Sequence, residues 1–398
     1  MKENRLFHGK SIFLVVLLLI LIKANPGWAQ SGITFENVAA IPEFGKSITF
    51  QATIRSETPL ENVSLVLQGN QKQPEIFPMS LSETGEVIYR LETSARKIRP
   101  FTRMEYQFRV RLQNGSEILS PMYSVRYEDT RFPWETTTND SITVYWYERD
   151  PDFGQTALNV AEEGLRSAQR LLPVPLQSPI TIYIYNSSQD IREVLQSSSP
   201  WIAGHAAPED NLILVSIVEG LEERLELERQ IPHEIMHILQ FQYLGEKISQ
   251  QPIWLIEGLA SVSELYPNPD YLQALEQSAI ENRLIPLTSL CTAFPRDASG
   301  AFLAYAESDS FVRYLYRSFG ATGLQNLMTQ YHDGMGCEQG FEKAFTYSLT
   351  QIESRWKQEE LRVSPEAMVF RNLSPYLVII LVLFGATAAA VILAKVRG

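Results

Sequence analysis

Two of the five histidines stand four residues apart, with a glutamate directly after the first: Ile231-Pro232-His233-Glu234-Ile235-Met236-His237-Ile238-Leu239. On a helix, residues four apart lie on one face, so His233 and His237 can point both imidazoles at one cation, with Glu234 beside it. Imidazole nitrogen suits a borderline-soft cation, and zinc accepts such ligands while keeping a position open for water. In that setting a carboxylate such as Glu234 can take a proton from the water, which is the chemistry of metal-assisted hydrolysis. By composition alone the motif arises by chance on the order of once in a few hundred such chains, so its surroundings decide its weight. The flanking Ile235, Met236, Ile238 and Leu239 are apolar, which predicts a buried helix. Polar groups in such a helix need partners, and a metal supplies them. Pro232 disrupts a helix interior and is expected at the first turn.

A catalytic zinc takes a third protein ligand, and Trp254-Leu255-Ile256-Glu257-Gly258-Leu259-Ala260 offers Glu257. Gly258 and Ala260 are small enough to let this second helix approach the first closely. Together, His-Glu-x-x-His and a downstream Trp-Leu-x-Glu-Gly-x-Ala-x-x-x-Glu resemble the gluzincin metallopeptidases, specifically the bacterial peptidase MA-like group, over residues 142–361. The resemblance implies a Zn2+ ion held by His233, His237 and Glu257, Glu234 as general base, and a peptide or protein as substrate. It implies that Glu264, the last glutamate of the motif and two turns beyond Glu257, holds a ligand histidine in orientation. Tyr305, in Ala304-Tyr305-Ala306-Glu307-Ser308, resembles the family's downstream helix and is the expected oxyanion donor, with Tyr266 and His205 as weaker options. Ser261 stands where some gluzincins carry an aspartate, a departure that leaves the identity of the orienting acid open. Residues 211–217 resemble the family's sheet edge, along which an extended substrate could pair. A competing expectation is a catalytically idle surface binding or assembly protein with a structural zinc site. Retention of Glu234 argues against it, because a structural site needs ligands and no base.

Around this site the elements follow a simple order. Residues 33–127 show period-two alternation in segments such as Ser47-Ile48-Thr49-Phe50-Gln51-Ala52-Thr53-Ile54, separated by turn signals. Such alternation predicts a small all-β, immunoglobulin-like sandwich serving as spacer or partner-binding module. Residues 129–140, polar with a Pro-Trp and a Thr run, read as a linker. From there strands at 142–147 and 180–185 alternate with helical patterns at 156–172 and 189–195, a strand follows at 211–217, and the rest to 360 is helical in pattern. The second domain is therefore expected to be α+β.

The ends of the chain complete the expectation. Lys2, Arg5 and Lys10, an apolar run at 12–22 and Gly27-Trp28-Ala29 read as a signal peptide. Residues 376–394 are apolar and followed by Lys395 and Arg397, which reads as a transmembrane helix with a cytoplasmic tail. The expected organisation is signal peptide 1–29, β-sandwich 30–128, linker 129–140, zinc metallopeptidase-like domain 141–361, juxtamembrane linker 362–375, transmembrane helix 376–394 and tail 395–398. This is a multi-domain protein anchored in the cell membrane by one C-terminal helix, its catalytic domain outside the cytoplasm. A formal net charge of −12 argues against nucleic acid as a partner. Cys291 and Cys337, the only cysteines, leave a disulfide and two free thiols equally open.

Overall fold

The computed structural model describes residues 32–68, 73–94, 96, 98–195 and 204–362. The chain divides between Glu128 and Asp129 into two units. The first is built from β1 (Ile33–Glu43), β2 (Ser47–Ser56), β3 (Leu60–Gln68), β4 (Glu75–Pro78), β5 (Ser80–Leu81), β6 (Glu86–Glu92), β7 (Arg103–Leu112), β8 (Glu117–Leu119) and β9 (Tyr123–Arg126). One antiparallel sheet runs β1-β2-β6-β5; the other runs β4-β3-β7-β8, with β9 also paired to β7. Alternation decides which side chains go inside. Ile48, Phe50, Ala52 and Ile54 of β2 are buried, as are Met104, Tyr106, Phe108 and Val110 of β7. Both sets join one core, in which Phe50 meets Tyr106 edge-on at 4.9 Å. The packing is sandwich-like.

The second unit contains β10 (Glu135–Thr138), β11 (Ile142–Trp146), α1 (Pro151–Leu171), β12 (Ile180–Tyr185), α2 (Ser188–Leu195), β13 (Gly204–Ala207), β14 (Leu212–Ser216), α3 (Glu223–Leu244), α4 (Ile253–Ser263), α5 (Asp270–Ile280), α6 (Ala298–His332), α7 (Cys337–Phe345) and α8 (Leu349–Glu359). Its sheet has the order β10-β11-β12-β14-β13. The inner three strands are parallel and the two outer ones antiparallel to their neighbours. Ile180, Ile182, Ile184, Ile213 and Val215 are fully buried, as near-continuous apolar strands covered by helices must be. Helix α3 packs on α1 and α4, and α4 on α6. That last contact needs Gly258, where a Cβ would lie 2.5 Å from Val312 Cγ2 and 2.6 Å from the Ser308 carbonyl oxygen. The close approach expected of Gly258 is therefore made to α6 and not to α3.

Two further expectations are corrected. The stretch read as a linker carries β10 and belongs to the second unit. Asp129 is fully buried and bound by Arg131, while the Trp134 indole donates to the Asp129 carbonyl at 2.7 Å and stacks edge-on against Tyr183 and Tyr185. The fold class, the membrane partner and the cell-membrane localisation were all drawn with a transmembrane helix. Among the described residues no helix is long and apolar enough to cross a membrane. The longest, α6, carries Glu307, Asp309, Arg313 and Arg317 and is broken at Gly320, with φ 67° and ψ −177°. Segments 1–29 and 376–394, on which the signal peptide and the anchor rested, lie outside the described residues.

Cys291 and Cys337 form a disulfide, their Cα atoms 6.1 Å apart. The buried Glu307 of α6 accepts the Ile285 N–H at 2.8 Å. Burial pushes its carboxyl from an ordinary 4.5 up to about 8, with that hydrogen bond and Lys357 pulling the other way. A folded-state value above the unfolded one means that folding holds the proton. This contribution to stability is complete below 4.5 and is lost as pH rises through about 8. Glu307→Gln, a neutral isostere, is expected to lose less thermal stability than the parent across that window; parallel melting curves would remove this carboxyl from the pH dependence.

Candidate metal centre

Helix α3 starts at Glu223, so Pro232 lies in its interior and not at its first turn. A proline there has no N–H for the carbonyl four residues back. That carbonyl, of Glu228, instead accepts the backbone N–H of Leu265 at 2.9 Å. One turn along, the buried Ser263 hydroxyl, 2.7 Å from the Ala260 carbonyl of its own helix, is shared with the Pro232 carbonyl at 3.0 Å. Leu265 and Ser263 lie at the end of α4, so both bonds tie that end to the middle of α3. Further along, the Gln240 side-chain amide donates to the Ile256 carbonyl at 3.0 Å. The two helices that carry the motif residues are fixed to each other on both sides of Glu257.

Between them three ligand-type atoms converge. His233 Nε2 lies 3.4 Å and His237 Nε2 3.7 Å from Glu257 Oε2, and one donor atom from each residue lies within 4.8 Å of the others. Zinc bonds of about 2.0–2.2 Å at tetrahedral angles put neighbouring ligand atoms roughly 3.3–3.6 Å apart, so the donor set and its spacing fit that ion. His233 Nδ1 is 3.0 Å from Glu264 Oε1. A carboxylate has no proton to give, so the Nδ1–H donates to it and Nε2 is left facing Glu257 and His237. Glu264 sits just past the end of α4, on extended backbone with φ −54° and ψ 136°, and not two turns along the helix. It is buried, not a surface charge.

The electrostatics are those of closely packed titratable groups. Burial pulls His233 down, but its bonds to Glu257 and Glu264 and the charge of Glu234 push it up to about 10. Burial pushes Glu257 up, yet the two histidines hold it below the ordinary carboxylate range. Glu264 stays raised by burial despite its hydrogen bond to His233.

The family model of the Peptidase MA superfamily matches residues 160–361, just over half of the chain and all of these motif residues. The chain belongs to the Peptidase MA superfamily. The resemblance read from the two motifs is thereby established, and with it the class of metallopeptidase. Among solved structures, a mutant of the M1 zinc metallopeptidase from Deinococcus radiodurans is similar over 84% of this chain and 95% of its own, at 13% identity and a TM-score of 0.38. A carbohydrate-binding module of family 56, a beta-1,3-glucan binding domain, is similar over 24% of this chain and 98% of its own, at 18% identity and a TM-score of 0.17. No curated protein matches.

In this Peptidase MA protein the cluster opens on a cavity of about 410 Å³, lined by His205, Glu234, Ile248, Ile253, Ile256 and Tyr305 among others. Strand β13 comes close to the buried Glu234. A Cβ on Gly204 would come 2.5 Å from Glu234 Oε1, so a larger residue there would require the Glu234 carboxylate to shift. The edge of the sheet is β13 and not the strand at 211–217, which is interior. Four residues, Gly-His-Ala-Ala, carry too little strand preference to be read from sequence. Tyr305, on α6, faces Glu257. Burial and the Glu257 charge raise its hydroxyl above the ordinary tyrosine value, so it keeps its proton. Tyr266 does not line the cavity and instead lies under Arg229, 5.7 Å from its guanidinium. Ser261 is buried near Tyr271. Nothing in the sequence singled out Ser263 or Leu265, because their partners are carbonyls of α3 more than thirty residues away in the chain. Ser263→Ala removes one bond between buried groups and is expected to lower unfolding stability by about 1–2 kcal/mol in chemical denaturation. An unchanged midpoint would show that the tie contributes nothing.

Proposed function

We propose that this protein is a zinc-dependent peptidase in which His233, His237 and Glu257 hold the ion and Glu234 is the general base. The observation that carries the proposal is the convergence of two imidazole nitrogens and one carboxylate oxygen at zinc-ligand spacing, with Glu234 beside them on the cavity wall. Zinc in such a site polarises a carbonyl and lowers the pKa of a water towards roughly 7.

The protein's residues do the rest. Glu234 accepts a proton from the attacking water and returns it to the amine that leaves when the C–N bond breaks, so one carboxylate serves as base and then as acid. Glu264 holds the His233 ring in the tautomer that keeps Nε2 free. Tyr305 retains its proton and is the donor for the negative oxygen of the tetrahedral intermediate. Gly204 of β13 lies against the Glu234 carboxylate at the cavity wall.

Zinc content and hydrolysis of casein or peptides, measured on parent and Glu234→Gln, test the assignment. One zinc per chain is expected in both, with hydrolysis in the parent alone and a loss of about 10²–10⁴-fold in the variant. Zinc binding without cleavage by the parent of any peptide in a broad library would move the idle-scaffold reading ahead. Glu264→Gln is expected to weaken zinc binding about 10–100-fold in competition with a chelator; unaltered affinity would detach Glu264 from the site.

A further inference from the structure

On the peptidase reading above, we infer that the site cuts internal peptide bonds and carries an apolar side-chain subsite walled by Ile253, Ile256 and Ile248. Ile253, Ile256 and Glu257 stand at i, i+3 and i+4 of α4, so the helix face that turns Glu257 to the histidines also turns both isoleucines into the cavity. Their neighbours Trp254, Leu255, Leu259 and Ala260 are buried in the core, whereas Ile253 and Ile256 stay partly exposed and belong to no core cluster. Ile248, from the turn that joins α3 to α4, lines the same cavity. Apolar surface left facing a wet cavity gains about 25 cal/mol per Å² when an apolar group covers it. The wall is fixed in register with the cluster because both ride on one helix.

The charges that line the cavity favour an internal peptide bond over a chain end. Its lining contains two carboxylates, Glu234 and Glu257, both engaged in the proposed chemistry, and no lysine or arginine among the described residues. A terminal carboxylate would face Glu234 and Glu257, and a terminal ammonium would find those carboxylates already engaged; the remaining histidine of the lining is His205. A peptide bond within a chain needs only hydrogen bonds.

The test uses the full chain loaded with zinc and quenched fluorogenic peptides with acetylated and amidated ends, carrying Leu, Phe, Asp or Lys beside the scissile bond. Cleavage of blocked peptides is expected, with kcat/KM at least about tenfold higher for Leu or Phe than for Asp or Lys. Ile253→Lys is expected to move the preference towards Asp, and Ile253→Thr, a milder change, to lower kcat/KM for Phe without altering zinc content. Trimming of free-ended peptides with blocked ones inert would overturn the inference while leaving the peptidase reading intact. So would cleavage of blocked peptides without apolar preference. Zinc bound but no peptide cut, blocked or free, would remove both together.

Discussion

A proline in the middle of α3 leaves one carbonyl without its helical donor, and where that carbonyl finds a partner sets much of the site. The Glu228 oxygen takes the N–H of Leu265, and the Pro232 oxygen takes the Ser263 hydroxyl. Buried backbone groups must be paired, and the Glu228 carbonyl finds its donor just past the end of α4 and not within α3. The residue enclosed by these two bonds is Glu264. It stands beyond the last turn of α4 with its carboxylate on His233, a position that continued helix would not give it. The hydrogen bond missing from α3 and the cluster of ligand-type atoms are linked through Glu264.

The other end of α4 is tied as well. Its first N–H, at Ile253, donates to the Cys291 carbonyl at 3.1 Å, and Cys291 is joined by disulfide to the start of α7. On its far side Gly258 brings α6 against the helix, and α6 carries Tyr305 to the cavity. Three neighbours therefore fix the eleven residues of α4, and with them Glu257 and the apolar wall. Placing so many titratable groups together out of water is costly, and mutual hydrogen bonds offset part of the cost, as the opposed shifts of His233 and Glu257 show.

Much of this was legible wherever a short-range period carried the information. The spacing of His233 and His237 places both on one helix face, and the runs expected as strands at 142–147 and 180–185 are found as β11, whose burial alternates, and β12, buried almost throughout. Reading failed where a single residue was given its average meaning. Pro232 was placed at a helix start, but the charged stretch before it, from Glu223 to Gln230, is already helical. Phe132 and Trp134 sat in a segment with linker composition, and they pack on Tyr147, Tyr183 and Tyr185 of the sheet. Small Gly258 was assigned to the wrong neighbouring helix, since side-chain size announces close contact and not its partner. Glu264 was placed on the helix by counting, because nothing in the preceding residues marks the end of α4. The partners of the Glu228 and Pro232 carbonyls are long-range, and no local pattern encodes them.

The central claim is that two histidines and Glu257 form one zinc site. Zinc K-edge X-ray absorption on the metal-loaded full chain tests it most directly. The account predicts two imidazole ligands and oxygen at about 2.0–2.2 Å, with tight binding lost in Glu257→Ala. A spectrum of oxygen ligands alone, without imidazole scattering, or one indifferent to Glu257→Ala, would contradict it.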